Sequence, residues 1–388
     1  MKVNQWTLGL AAVGLVSLPA FVQAEEASQH LLTALSSTTI SGFVDTSAQW
    51  NLGTGNANNP AIPFAGPAKA DGFNLNYVQL TIQKPLDAQD QWAAGYRVDL
   101  GYGDDLAVFG STAAKSGIKQ AYVNLRAPVG NGIEFKMGVF DTIIGYETFE
   151  RINNPHYTHS YAYGIEPTSH TGLLASYQLT ELIGVTAGVA NSTAALINNR
   201  TFPATAESYK TYMGGLTVKA PESLGFLAGS TLYAGVVNGS GGARRVTDNL
   251  YVGATLNTPW TGVKVGVAYD YLGSDGNTSV AVPYTSLHAD AVSLYASVKL
   301  TDKLTVLARG EHFEQSPGVL ATAGGAPTRI LAATGTVQYD LWANVISRLE
   351  VRWDHQADGT GRAFGSNPVG VPDRRNAVLI AANVIYKF

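Results

Sequence analysis

The chain has 388 residues, a formal net charge of −4, no cysteine, 42 glycines, 19 tyrosines and only 14% charged residues. A soluble surface normally draws on about a quarter charged residues, so the composition argues against a fully water-facing exterior, while a mean hydropathy near zero excludes a bundle of membrane helices. The lack of cysteine excludes a disulfide framework and thiolate metal sites, and the mild acidity leaves no basic footprint for nucleic acid.

Residues 1–24 read as a signal peptide: Lys2 supplies the positive start, "WTLGLAAVGLVSL" the apolar core, and Val22 to Ala24 a small-x-small cleavage site. The core falls short of the roughly 20 apolar residues a spanning helix needs, and Pro19 interrupts it. Residues 25–36 read as a frayed periplasmic lead, and 37–388 as one domain.

From there a period of two recurs. In "QWAAGYRVDLGYG", Trp92, Ala94, Tyr96, Val98, Leu100 and Tyr102 share one face, against Ala93, Gly95, Arg97, Asp99 and Gly101. A strand sends these rows to opposite sides, and aromatics at both ends of the apolar row suit a lipid-facing strand whose ends lie in the two membrane interfaces. The alternation predicts strands over 38–50, 72–83, 91–102, 117–127, 131–140, 170–179, 182–191, 208–220, 225–237, 248–258, 262–272, 288–300, 303–313, 328–340, 344–354 and 375–388. Either parity fits 225–237 and 328–340.

The connections alternate in length. Short ones such as "PVGNG", "TDK" and "LWA" take turns with long ones at about 51–71, 103–116, 141–169, 192–207, 238–247, 273–287, 314–327 and 355–374. Sixteen antiparallel strands with sorted loops predict an all-β transmembrane barrel with tight periplasmic turns, long external loops and both termini periplasmic. The last strand carries Phe388, Tyr386, Val384, Ala382 and Ile380 on one face. Its partner is the first strand, and a terminal aromatic of this kind is similar to the signal that the barrel-assembly machinery reads in Gram-negative bacteria.

The third long connection, about 141–169, is the longest and is rich in aromatics. Loops of that length in a compact fold are usually functional or disordered. It is expected to fold inward and narrow the channel, with Tyr146, Glu147, Glu150, Arg151, His159 and Glu166 setting the local field. His156, His159 and His170 invite a metal reading, but the loop offers no cysteine or paired carboxylate to complete a ligand set, so hydrogen-bonding or gating histidines are expected and no metal or cofactor. "GSGGARR" at 239–245 precedes no helix, so it cannot be read as a phosphate loop, and no Gly-x-Ser-x-Gly elbow is present.

Several elements of this stretch occur in order: Gly145, Tyr146 and Glu147; Asn154 and Pro155; Thr158, His159, Ser160 and Tyr161; His170, Thr171 and Gly172. Over about 50 residues it resembles the Putative beta-barrel porin 2 family, also called OmpL-like. The resemblance implies a porin-like outer-membrane barrel and no particular substrate.

The inward row of the predicted strands holds Arg97, Arg126, Lys136, Lys264, Arg309, Arg348 and Arg352 against Asp99, Glu134, Asp270, Glu311, Glu350 and Asp354. Arg309, Arg348 and Arg352 come from nearby strands and could form a basic wall facing an acidic loop, with a transverse field between them; the charges could also pair with one another, and the two readings are compatible. The expected function is a porin for passive diffusion of small hydrophilic solutes and ions, not an enzyme, set in outer-membrane lipid as a possible homotrimer. Its rivals are a substrate-specific anion or sugar channel and a non-conducting structural or adhesin barrel.

Overall fold

The computed structural model describes residues 37–53, 55, 71–87, 91–200, 209–241, 244–274, 286–316, 319, 328–358, 362–366 and 372–388. The expected signal peptide and lead lie outside the described residues.

Sixteen strands run β1 (Thr39–Asn51), β2 (Gly72–Lys84), β3 (Ala93–Tyr102), β4 (Ser116–Ala127), β5 (Ile133–Asp141), β6 (Ser169–Gln178), β7 (Ile183–Ala190), β8 (Thr211–Lys219), β9 (Thr231–Gly241), β10 (Arg244–Asn257), β11 (Val263–Ser274), β12 (Leu287–Lys299), β13 (Leu304–Gln315), β14 (Thr328–Trp342), β15 (Val345–Gln356) and β16 (Asn376–Lys387). Each pairs antiparallel with its neighbours in sequence, and β1 pairs with β16, so the sheet closes into a barrel. Closure removes the edge strands that would otherwise expose unpaired backbone groups.

At the seam β1 and β16 pair in register. Val44 lies opposite Tyr386 and Asn51 opposite Leu379. Gly42 and Phe388 exchange both backbone hydrogen bonds, at 2.9 and 3.0 Å. The Phe388 ring lies over Gly42, where a β-carbon would come within 2.6 Å of it.

The two-residue period sorts the side chains. On β15 Leu349, Val351 and Trp353 are exposed, whereas Arg348, Glu350, Arg352 and Asp354 are buried inside. The outward aromatics gather at both ends. Trp92, Trp260, Trp342 and Phe388 ring the short-turn end, and Trp50, Phe73, Tyr102, Tyr212 and Trp353 the other. This is the girdle arrangement of a membrane barrel.

One stretch departs from the predicted pattern. The strand expected at 225–237 starts at Thr231, because Glu222–Leu227 forms a 3-10 turn broken at Gly225, whose φ is 61°. It continues to Gly241, and β10 begins at Arg244, so the long connection expected at 238–247 is instead a strand extension.

Candidate functional site

The segment between β5 and β6 turns into the barrel. It begins with Ile143 and Ile144, which pack on Phe140, Leu174, Ala190, Met213 and Val237 of the β5–β9 wall. Gly145 follows with φ 108°, in the left-handed region open to glycine. A β-carbon there would also collide with the Glu166 carboxylate from the far end of the same segment. Tyr146 then lies along the wall at Gly266, where a side chain would strike its hydroxyl, and stacks on Tyr295 with ring centroids 4.1 Å apart. Phe149 meets the edge of Tyr77 at 5.0 Å, under the ammonium of Lys119.

Arg151–Asn153 form one 3-10 turn, and Tyr161–Ile165 a short helix, α1, entered through Ser160, whose hydroxyl accepts from the Tyr163 amide at 3.2 Å. Serine favours such an N-cap because its oxygen satisfies an otherwise unpaired backbone donor. Tyr161 stacks on Phe313 at 5.1 Å, and Tyr161 and Ile165 bury against Leu272, Ala289 and Ile330. Tyr157 packs on Leu379 and Ala381 of β16 and bonds Gln49 of β1 at 2.7 Å. Among the described residues the segment therefore touches the wall on every side of the lumen.

Polar contacts hold it there. Arg309 donates to Glu147 at 2.8 Å, to Glu311 at 2.8 Å and to the Thr158 carbonyl at 2.7 Å. Arg352 donates to Asp354 at 2.9 Å and to the His159 carbonyl at 2.8 Å, and it lies 3.2 Å from Glu311. Glu350 accepts from the Tyr157 and Thr158 amides at 2.6 and 2.9 Å, and Glu311 from the Tyr161 amide at 2.7 Å. Arg348 donates to the carbonyls of Arg151 and Asn154 at 2.9 and 2.8 Å. Arg151 pairs with Asp105, and with Asp45 at 3.4 Å. All these side chains are almost wholly buried. Of the two readings of the wall charges, the structure favours pairing: Arg309 and Arg352 face carboxylates within 3.2 Å. Buried charges need this, because an uncompensated ion in low dielectric is costly.

The other candidate residues lie at separate places on the wall. Arg97 pairs with Asp99 at 2.9 Å inside the β2–β4 wall. Lys136 sits 4.9 Å over the Tyr122 ring, and Arg126 pairs with Glu134 near the short-turn end. Asp270 is buried facing Glu166. Lys264 stands exposed toward the short-turn end of the lumen. Here a cavity of about 1040 Å³ opens under the segment, lined by Tyr146, Lys264 and Arg348 among others.

Within the segment, protonation follows these surroundings. Burial alone would raise the Glu147 carboxyl, but Arg309 and the hydrogen bonds from His159 and Ser160 hold it below the usual carboxylate range. Burial, with the Asp141 carboxylate nearby, pushes Glu150 up to about 7. Burial and Asp270 raise Glu166 well above its ordinary value. Burial and the Arg309 charge push His156 down to about 3, and burial pushes His159 down to about 4 despite Glu147. The three histidines part company: His156 bonds Thr336 at 2.7 Å, His159 lies 3.1 Å from Glu147 and stacks on Tyr163, and His170 sits 3.1 Å from Thr142.

Asp45, Asp105, Tyr157 and Tyr295 are not singled out by the sequence, yet all hold the segment. Asp45 and Tyr295 left a signal, a charge and a hydroxyl on inward strand positions. Asp105 left none, since it comes from a second connection, where the short helix α2 (Asp104–Phe109) places it. The inward glycine Gly266 was a further signal, since it leaves room for Tyr146.

A closed barrel of sixteen antiparallel strands, apolar outside, charged within and crossed by an inward-folded third loop, is the architecture of outer-membrane porins. The chain belongs to the family described as "Putative beta-barrel porin-2, OmpL-like", whose model matches residues 37–388. No curated protein matches it in sequence. Similar solved structures include OmpT, expressed in the outer membrane of Vibrio cholerae (12% identity, TM-score 0.57, covering 90% of this chain and 97% of that one). An anion-selective porin from Comamonas acidovorans is similar at 13% identity and TM-score 0.58 (91% and 99%). The outer-membrane channel DcaP of Acinetobacter baumannii is similar at 12% identity and TM-score 0.59 (90% and 97%). At these identities the likeness is one of fold.

Proposed function

We propose that this protein is a bacterial outer-membrane channel for passive diffusion of small hydrophilic solutes and ions, with the segment 142–168 as its throat. The observation that carries the reading is the contrast between an apolar lipid-facing row and an inward row of charges around a lumen crossed by that segment. A sixteen-stranded barrel is wide enough for an aqueous path, so the segment and not the wall sets the passage. Both termini and the short turns then face the periplasm. Phe388, on the seam, is the residue offered to the barrel-assembly machinery. A homotrimer is the assembly proposed, since OmpT of V. cholerae has been solved in a trimer form.

The test is single-channel recording in planar bilayers with the whole protein and a variant in which residues 147–163 are replaced by a short Gly-Ser link. A small but resolvable step from the whole chain and a much larger, nanosiemens-scale step from the variant support the reading. One observation favours a second reading, a non-conducting structural barrel: the segment meets the wall on every side through buried ion pairs. Silence from both proteins would establish that alternative.

A further inference from the structure

The cavity at the short-turn end has features that passive sieving does not require. Its roof is the inward segment, at Tyr146 and at Ile152–Pro155, and its walls come from β9–β16. Its volume, about 1040 Å³, is at the upper end of small-molecule pockets. Its charges are unbalanced. Arg348, Lys264, Lys303 and Lys387 line it against Asp302 and Asp340. Asp302 points to solvent and pairs with Lys299 at 3.3 Å, and Asp340 accepts from Gln338 at 3.1 Å.

The cations are compensated only in part. Arg348 spends its donors on three uncharged oxygens, those of Gln338 at 3.0 Å, Arg151 at 2.9 Å and Asn154 at 2.8 Å; among the described residues no carboxylate lies at ion-pair distance from it, and Asp45, Glu350 and Asp340 act on its charge from further off. Among the described residues Lys264 and Lys387 form no ion pair. A concave, protein-walled space with an excess of one sign of charge focuses its field inward. Beside these cations lie aromatic faces: the stacked Tyr146 and Tyr295, with Tyr233 and Tyr251. Flat apolar surface for a body beside a cation for a head group is the chemistry of an organic-anion site.

We propose that this vestibule binds small aromatic carboxylates, the ring against Tyr146 and Tyr233 and the carboxylate toward Lys264, two residues from the Gly266 that Tyr146 covers, with Lys387 and Arg348 adding to the field from β16 and β15. The inference deepens the channel reading and rests on it only for the route by which the solute arrives.

The experiment is isothermal titration of the whole protein in detergent micelles with benzoate, with benzylamine as the cationic counterpart of the same body and acetate as a head group without it. Benzoate binds, while benzylamine and acetate bind at least tenfold more weakly. The double variant K264Q/K387Q, which removes one exposed and one half-buried cation without leaving a buried carboxylate unpaired, weakens benzoate about fivefold and leaves benzyl alcohol unchanged. Equal binding of benzoate and benzylamine, no benzoate binding at millimolar concentration, or unaltered benzoate binding in K264Q/K387Q would overturn the proposal. Benzoate binding does not depend on conduction. A protein that conducts salt without binding benzoate sinks this inference alone, and one that binds benzoate yet stays silent in bilayers sinks the channel reading alone.

Discussion

At the scale of single residues, the inward segment depends on a few buried charges. Arg309 is the centre, since it joins Glu147 of the segment to Glu311 of the wall and also reaches the Thr158 carbonyl. Arg309→Gln takes the shared cation from two buried carboxylates, leaving Glu311 with Arg352 alone and Glu147 with the His159, Ser160 and Tyr295 donors, and losing one partner of a buried pair costs about 3–5 kcal/mol. We expect the segment to undock in that variant, read as a several-fold rise in single-channel conductance and faster amide exchange over 147–163. An unchanged conductance would mean that the ion pairs do not hold the throat.

The same residues set a pH dependence. His156 and His159 have docked pKa values depressed to about 3 and 4, so docking is weakened as pH falls below their ordinary value toward those figures. Glu147 is also depressed, so its contribution is full above the ordinary carboxylate value and is lost on acidification. Glu150, raised to about 7, and Glu166, raised further, act the other way, but only at pH above the ordinary carboxylate value, where their docked forms hold protons that free ones would release. Between about 4.5 and 6.5 the two sets oppose each other. Below about 4.5 only the acid-labile set remains. Conductance is therefore expected to rise between pH 4.5 and 3, and a flat or falling profile over that window contradicts the assigned protonation states.

At the scale of elements, the strands follow from alternation, and most predicted and observed strands differ by only a few residues. The exception is β9, whose start moved because Pro221 and Gly225 favour a turn where either parity could have been read. Its far end lengthened because "NGSG" still pairs across to β10 although glycines carry no hydrophobic pattern. Register at the seam makes a sharper prediction. Gly42→Val would force a β-carbon into the Phe388 ring and the Gln79 carbonyl. Overpacking of this kind costs about 1–3 kcal/mol. A lower urea midpoint in micelles is expected, and adding Phe388→Ala should recover part of the loss, because contacting residues are not additive. Simple additivity of the two changes would place the ring elsewhere.

At the scale of the molecule, the outer surface is matched to hydrocarbon. Leu349 lies outward and exposed near the middle of β15. Leu349→Arg is expected to lower barrel stability by about 2–4 kcal/mol, the cost of a cation at the bilayer midplane. The measurement is reversible unfolding in lipid vesicles, and a neutral effect would mean that this row does not meet lipid. The fold class, the pairing of first strand with last, and the rows facing in and out were all legible in the linear chain. They rest on a period of two and on loop lengths, both local properties that hold whatever the distant partners are.

The interior was legible only in part. An inward third loop could be expected from its length and aromatics, and the charges of β13 and β15 from their parity. Their meeting at Glu147, at the Tyr157–Thr158 amides and at the Arg151 carbonyl could not, because residues between 150 and 200 positions apart come together only when the cylinder closes. Alternating side chains need only the geometry of one strand and the difference between lipid and water. Which buried charge finds which partner depends on the three-dimensional path of a segment without regular period, and that path is set by the wall it packs against.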